Sequence, residues 1–299
     1  MKVRVATAQY PITQHSSFDA WASHVHEWVA EASAQEAKLL VFPEYGAMEL
    51  TSILPTNLQS SLQGQVIELS NLQEKFIDVW TTAAQQNKVT IVAPSLPVII
   101  NGRPVNRAMV FSGKGYVGYQ DKFFMTRFEN EEWGISSGEK VLTLFEAAWG
   151  KFGIQICYDV EFPIGSQLLA SEGAQLIVAP SCTETIRGAT RVHIGARARA
   201  LENQIYTAVA QTVGNALWSP AVDINYGYAA FYATPDKNLP EEGIISLGET
   251  QKPTWHYQTL DFELLDQVRA DGQVFNFRDQ QGIATKLLYH KIDIKKVQV

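Results

Sequence analysis

The sequence is poor in the features that mark several large classes of protein. It contains two cysteines in 299 residues, too few for a disulfide framework, which excludes a small disulfide-stabilised domain. Its apolar runs fall well short of the roughly 20 residues that span a bilayer, so we expect no membrane partner. It also lacks a basic excess, since 24 Lys and Arg face 31 Asp and Glu. The net charge of −7 argues against a nucleic-acid partner.

The composition is that of an ordinary globular protein. Hydrophobic residues make up 46% and charged residues 18% of the chain. The opening segment, MKVRVATAQYP, alternates apolar and polar residues and lacks the apolar core of a signal peptide. We therefore expect a cytoplasmic protein with reduced thiols, folded as a single domain over residues 1–299.

Hydrophobic periodicity predicts alternating helices and strands. An amphipathic helix is predicted over 17–36, and Ser70-Asn71-Leu72-Gln73 has the form of a capping box that begins a second helix. Asn101-Gly102 predicts a hairpin. Further strands are predicted over 3–8, 39–42, 89–93, 105–112, 116–120, 152–156, 175–179, 205–213, 226–233, 243–247 and 254–260, and further helices over 163–172 and 189–203. This α/β pattern fits a mixed sheet covered by helices, with 262–299 as a C-terminal tail that is a candidate for oligomer contacts.

Three predicted strands run directly into a reactive side chain, namely Glu44, Lys122 and Cys157. Ligands in α/β sheets gather where strands end, so we expect the three to share one pocket. A carboxylate that accepts the thiol proton, a sulfur nucleophile and an ammonium beside the reacting carbonyl suffice for acyl transfer through a thioester. The spacing alone leaves other interpretations open: a small core cysteine, a glutamate that caps a turn and a solvated surface lysine.

Several short motifs, in this order, resemble the nitrilase superfamily of carbon–nitrogen hydrolases. They are Ala6-Thr7-Ala8-Gln9, Phe42-Pro43-Glu44, Asp121-Lys122, Cys157-Tyr158-Asp159, Phe162-Pro163, Val178-Ala179-Pro180-Ser181 and the segment 197–203. The resemblance implies a four-layer α-β-β-α sandwich that assembles as a homodimer or larger homo-oligomer and uses no metal or organic cofactor. It also implies Glu44 as general base, Lys122 as oxyanion stabiliser and Cys157 as nucleophile.

Many members of this family carry a second glutamate after the lysine. Matching backwards from Gly138 favours Glu131 for that position, with Glu129 and Glu132 as alternatives. Such a residue would position the substrate or the leaving amine.

Four other residues are candidates for substrate binding. The N–H of Tyr158 follows the nucleophile and can help to hold an oxyanion. Ser181 and Cys182 stand at the end of a predicted strand, and Trp133 carries a ring that can form the wall of a pocket.

The residues around the nucleophile favour an amide substrate. Cys157-Tyr158-Asp159 resembles the amidase-type branches, whereas nitrilases proper usually continue the cysteine with Trp-Glu. We therefore predict hydrolysis of a small linear amide with release of ammonia or an amine, and an N-carbamoyl (ureido) amidohydrolase is the alternative. The acids at 129–132, with Glu161 and Glu184, favour a cationic substrate. The chain departs from the family pattern at Glu161 and Ile164-Gly165, so the resemblance does not identify the substrate.

Two other classes of function stay open at this point. The first is a peptidase in which His193 activates Cys157. The second is a non-catalytic relative that keeps the fold. The six histidines are scattered and show no metal-ligand spacing.

Overall fold

A computed structural model describes residues 1–289 and 295–296, with the side chains of 283–289 left undescribed. Eight α-helices lie in this part of the chain: α1 (Phe18–Ala34), α2 (Thr56–Gln59), α3 (Leu62–Asn71), α4 (Gln73–Asn87), α5 (Pro163–Ser171), α6 (Ile186–Asn203), α7 (Phe262–Asp271) and α8 (Asn276–Tyr289). Short 3-10 helices occupy Gly46–Ile53 and Cys157–Glu161, and a π-helical turn occupies Glu129–Trp133. Among the helices described, none combines the length and the apolar character needed to cross a bilayer.

The same part of the chain contains fourteen strands. They are β1 (Lys2–Pro11), β2 (Leu39–Val41), β3 (Thr90–Val92), β4 (Leu96–Ile100), β5 (Arg103–Ser112), β6 (Gly115–Asp121), β7 (Leu144–Ala147), β8 (Gly150–Ile154), β9 (Leu176–Ser181), β10 (Tyr206–Asn215), β11 (Ile224–Asn225), β12 (Ala230–Tyr232), β13 (Ile244–Leu247) and β14 (Thr254–Asp261). The main path of the sheet is β4-β5-β3-β2-β1-β10-β9-β8-β7. Its centre is parallel and its outer strands are antiparallel, so the sheet is mixed as predicted.

The sheet divides into two halves at β1. This strand pairs with β10 only where Gln9–Pro11 faces Gln211–Val213, and β14 pairs antiparallel with the rest of that edge. The two halves therefore separate and face each other. A single hydrophobic cluster fills the space between them and contains both Val41 of the first half and Val178 of the second.

Helices cover the outer face of each half. On the first half, Phe42 packs against Trp28 of α1 and Trp80 of α4. On the second half, Ile177 packs against Leu169 of α5. The resulting order of layers, helix, sheet, sheet and helix, confirms the predicted four-layer sandwich.

Most of the predicted elements are present within a few residues of their expected ends. The hairpin at Asn101-Gly102 is confirmed, since both residues have the positive φ that a type I′ turn requires, 51° and 76°. The strand predicted over 226–233 is shorter and covers only Ala230–Tyr232.

The capping box predicted at Ser70 is wrong. Ser70 lies near the end of α3, a helix that the sequence patterns did not reveal. Its hydroxyl accepts a hydrogen bond from the N–H of Ile99 at 3.0 Å. Helix α4 begins at Gln73 without a side-chain cap, so its first turn depends on packing.

Much of the C-terminal tail packs against the rest of the chain. Phe262 and Leu265 of α7 are buried in the cluster between the half-sheets. Phe277 of α8 contacts the cluster under α5. The role of 262–299 in an oligomer stays a prediction, and residues 290–294 and 297–299 lie outside the described part of the chain.

Candidate active site

The Glu44 carboxylate lies just beyond β2 and is 1% exposed. Its Oε1 accepts hydrogen bonds from Lys122 Nζ at 2.7 Å and from Asn106 Nδ2 at 2.9 Å, and its Oε2 accepts one from the N–H of Cys182 at 3.0 Å. Burial raises the pKa of Glu44, although the Lys122 ammonium and a hydrogen bond from the Cys157 thiol oppose the rise. This carboxylate is therefore a stronger base than an exposed glutamate.

The Lys122 ammonium joins Glu44 to a second carboxylate. Lys122 follows β6 and is 1% exposed. Its Nζ donates to Glu44 Oε1 at 2.7 Å and to Glu129 Oε2 at 2.6 Å. Burial disfavours the charge, but Glu129 and Glu44 outweigh this effect and raise the pKa of Lys122 well above its usual value. The site therefore holds a fixed positive charge at neutral pH.

Both oxygens of the Glu129 carboxylate accept hydrogen bonds from neighbouring donors. Its Oε2 accepts hydrogen bonds from the N–H and the hydroxyl of Thr126 at 2.9 and 2.8 Å, and its Oε1 accepts one from the hydroxyl of Tyr45 at 2.7 Å. Burial would raise the pKa of Glu129, but Lys122 and these donors bring it below its ordinary value. The second carboxylate therefore stays ionised beside the lysine.

Glu129 thus holds the position for which the sequence favoured Glu131, and that choice is corrected. The Glu131 side chain is 52% exposed and pairs with Arg127 at 2.7 Å, and Glu132 is exposed as well. Residues Glu129–Trp133 form the π-helical turn, in which adjacent side chains face different directions. Matching positions from Gly138 could not reveal this geometry.

Cys157 is presented by a tight turn after β8. Its φ of 48° lies in the left-handed region that residues with a side chain seldom occupy. The residue is 5% exposed, and its Sγ lies 3.7 Å from the carbonyl oxygen of Cys182. Burial and the nearby Glu44 raise the pKa of the Cys157 thiol well above its usual value. The sulfur is therefore held as a neutral thiol until a base removes its proton.

Asp159 ties the turn of Cys157 to the segment after Lys122. Its carboxylate accepts hydrogen bonds from the N–H groups of Phe123 at 3.1 Å and Phe124 at 2.8 Å. Asp159 is 2% exposed, which shields these bonds from water. One buried side chain therefore fixes the lysine segment relative to the cysteine turn.

A cavity of about 600 Å³ opens onto Glu44, Lys122, Glu129 and Cys157. Of the residues predicted to bind substrate, Trp133, Tyr158 and Cys182 line this cavity. Ser181 is a correction. Its side chain is fully buried, and its hydroxyl donates to the carbonyl oxygen of Ala179 at 3.1 Å. Side chains alternate between the two faces of β9, and that of Ser181 is not among those that line the cavity.

Comparison with known proteins identifies the family. Residues 4–250 match the family model described as carbon-nitrogen hydrolase. The chain belongs to the carbon-nitrogen hydrolase family. The chain is 34% identical over 292 residues to the probable hydrolase YhcX of Bacillus subtilis, covering 97% of this chain and 56% of that protein. It is 37% identical over 135 residues to the omega-amidase NIT3 of Saccharomyces cerevisiae, covering 45% of this chain and 43% of that protein. The chain thus spans about half the length of these two relatives.

A solved structure supports the same assignment of fold. The chain superposes on Saccharomyces cerevisiae Nit3, a member of branch 10 of the nitrilase superfamily, with a TM-score of 0.70 and 23% identity. The match covers 90% of this chain and 93% of that one. This likeness shows a shared fold, and together with the family match over residues 4–250 it confirms the predicted resemblance to the nitrilase superfamily of carbon–nitrogen hydrolases.

Acidic groups outnumber basic groups at the mouth of the cavity. Glu161, Glu184 and Asp223 line it, together with Arg127 and Arg191. Arg191 is paired with Glu161 and Arg127 with Glu131, so the charges of both pairs are largely balanced. The exposed Glu184 therefore contributes to a negative potential at the mouth of the cavity.

His193, the histidine of the alternative peptidase mechanism, is engaged by other partners. Its Nδ1 lies 2.8 Å from the hydroxyl of Tyr232 and its Nε2 lies 3.0 Å from Gln211 Oε1. The ring stacks on Tyr228 with centroids 3.9 Å apart. With both nitrogens engaged, this imidazole is not placed to activate Cys157.

We expect His193 to titrate near pH 4, because burial lowers its pKa to about 4. The folded state then binds fewer protons than the unfolded state between pH 4 and the unperturbed value of about 6.5. The corresponding stability is present above pH 6.5 and is lost as the pH falls towards 4. Ring C–H signals in NMR spectra, assigned by their loss in His193→Gln, measure this pKa.

A midpoint near 6.5 for that signal would contradict the prediction.

The same variant, His193→Gln, tests the peptidase alternative. If its fold is intact by circular dichroism, we expect its amide turnover to stay within a few-fold of the starting value. A loss as large as that caused by removing the thiol would revive a Cys–His pair.

Proposed function

We propose that this hydrolase cleaves the C–N bond of a small linear amide through a thioester on Cys157. The main support is the convergence of Glu44, Lys122, Glu129 and Cys157 at the floor of one cavity. The name of one relative, an omega-amidase, also favours an amide substrate.

In the acylation step, Glu44 takes the thiol proton as Cys157 Sγ attacks the amide carbon. The resulting oxyanion is stabilised by the Lys122 ammonium and by the N–H of Tyr158. Glu44 then gives the proton to the leaving nitrogen as the C–N bond breaks, and ammonia or an amine departs. The acyl group stays on sulfur as a thioester.

In the deacylation step, Glu44 takes a proton from water as the water oxygen attacks the thioester carbonyl. The same two donors stabilise the second oxyanion. The C–S bond breaks, Glu44 returns the proton to sulfur, and a carboxylic acid leaves. Glu129 acts as a positioning residue, since its carboxylate keeps the Lys122 ammonium charged and in place at 2.6 Å.

Release of ammonia or amine from a panel of small linear amides and ureido compounds tests this reaction. We expect turnover of at least one amide. We also expect, after rapid acid quenching, a mass gain equal to the acyl group on the peptide that contains Cys157. Turnover confined to ureido compounds would instead support the N-carbamoyl alternative. Failure of the folded protein to release ammonia or an amine from any compound would contradict the proposal.

We further expect a preference for cationic amides over anionic ones. Glu184 and Asp223 at the mouth attract positive charge, whereas the charge of Glu161 is balanced by Arg191. At low ionic strength, kcat/KM for an amine-bearing amide is expected to exceed that for a carboxylate-bearing amide of equal length by about 10-fold. The difference should narrow in high salt and in Glu184→Gln, because both reduce the potential at the mouth. A preference for the anionic amide would contradict this prediction.

The assembly into a homodimer or larger homo-oligomer is also a proposal. Light scattering coupled to size-exclusion chromatography measures it directly. A particle with the mass of one chain at micromolar concentration would contradict it.

A further inference from the structure

Two histidines and a buried glutamate meet beside the 3-10 helix that follows Glu44. His15 lies in the loop after β1, His24 lies in α1, and Glu49 lies in the 3-10 helix Gly46–Ile53. One ring nitrogen of each histidine and one carboxylate oxygen all lie within 4.8 Å of one another. This His-His-Glu cluster is separate from the lining of the catalytic cavity.

The Glu49 carboxylate is held in a fixed orientation. Its Oε1 accepts hydrogen bonds from the hydroxyl of Tyr10 and from Trp21 Nε1, both at 2.7 Å. Its Oε2 lies 3.1 Å from His15 Nε2. Since Glu49 is fully buried, these partners keep Oε2 directed at the histidines.

His24, one of the three residues of the cluster, carries an unsatisfied ring nitrogen, Nε2. This nitrogen is buried and has no hydrogen-bond partner within the described part of the chain. The His24 ring lies beside that of His15, with centroids 5.1 Å apart. A buried polar atom without a partner is costly and calls for an explanation such as an unseen ion or water.

We propose that His15, His24 and Glu49 bind a divalent transition-metal ion of the zinc type. Two imidazoles and a carboxylate are ligands that such ions accept, at about 2.0–2.2 Å. Tetrahedral ligand atoms then lie about 3.4 Å apart, so closing the cluster requires shifts of about 1 Å. Binding displaces the proton shared by His15 Nε2 and Glu49 Oε2, and this proton is released to water.

The bound ion would join three elements that are distant in sequence: the loop after β1, helix α1 and the 3-10 helix. Because the ion binds the folded chain, it stabilises that state by mass action. At a free zinc concentration 100-fold above the dissociation constant, the unfolding temperature is expected to rise by about 4 °C.

Titration with Co²⁺ tests the site. The protein carries Cys157→Ser and Cys182→Ser, which removes the competing thiol ligands, and lacks a polyhistidine tag. We expect one equivalent of Co²⁺ to bind, with visible d–d absorption, and the thermal shift to follow it. His24→Gln is expected to abolish both signals while keeping the fold, because His24 Nε2 makes no hydrogen bond that the change would break.

His26→Gln is the matched control, since His26 lies on the same helix but outside the cluster. It is expected to bind Co²⁺ as the parent does. Unchanged affinity in His24→Gln, or no saturable binding to the folded parent, would overturn the proposal. Neither readout involves amide turnover, so failure here leaves the proposed reaction unaffected.

Discussion

Replacing Cys157 by alanine is expected to lower kcat for amide hydrolysis by at least about 10⁴-fold, the scale of loss when an enzyme nucleophile is removed. Without sulfur, no thioester forms, and Lys122 and Glu44 face a substrate that nothing attacks. The change removes one buried atom and keeps the backbone turn. Steady-state release of ammonia or amine measures kcat, and thermal unfolding checks that the fold is kept.

Cys182→Ala is the matched control for this substitution. Cys182 contributes to the site through its backbone, whose N–H donates to Glu44 at 3.0 Å and whose carbonyl oxygen lies 3.7 Å from Cys157 Sγ. Alanine keeps both groups, so the fall in kcat is expected to stay below about 10-fold, far less than loss of the nucleophile. Undiminished turnover by folded Cys157→Ala would rule out the thioester mechanism.

Glu129→Gln is expected to lower kcat by about 10²–10³-fold, comparable to losing a donor that stabilises the oxyanion. The neutral amide no longer balances the positive charge of Lys122. The ammonium is therefore drawn towards the Glu44 carboxylate and away from the developing oxyanion. Glu131→Gln removes the same charge two residues along the chain, where the side chain is half exposed, and is expected to leave kcat nearly unchanged.

The pH profile of kcat/KM distinguishes a role of Glu129 in positioning Lys122 from a role only in the stability of the fold. The Glu129 charge contributes to the raised pKa of Glu44, so its removal should lower the pKa of that base. The acidic limb of the profile, where activity falls as Glu44 becomes protonated, is then expected to move to lower pH in Glu129→Gln. A loss of kcat with an unmoved limb, or equal losses in the two variants, would contradict this role.

The sequence carries enough information to predict the centre of the site. Glu44, Lys122 and Cys157 each follow a predicted strand, and strand ends are where an α/β sheet gathers its ligands. The structure brings the carboxylate and the ammonium to 2.7 Å, although 78 positions separate them in the chain. Resemblance to a known family supplied the four-layer arrangement that local patterns leave open.

The remaining features of the site depend on geometry that local patterns do not encode. Asn106 donates to Glu44 from the interior of β5, with no motif to mark it. Glu129 faces the lysine because a π-helical turn directs it there. Cys182 contributes backbone groups, which carry no sequence signature at all. Each depends on where the chain places an atom, which residue type alone does not determine.

The carboxylate of Asp159 has a consequence for any redesign of this site. It lies in the turn that starts at Cys157, and it accepts hydrogen bonds from the N–H groups of residues 123 and 124. The two loops therefore form one structural unit that is joined by these hydrogen bonds. If the loop that carries Cys157 were transferred to another scaffold without the segment that follows Lys122, the buried Asp159 carboxylate would lose the N–H groups that bind it. Both loops must be transplanted together.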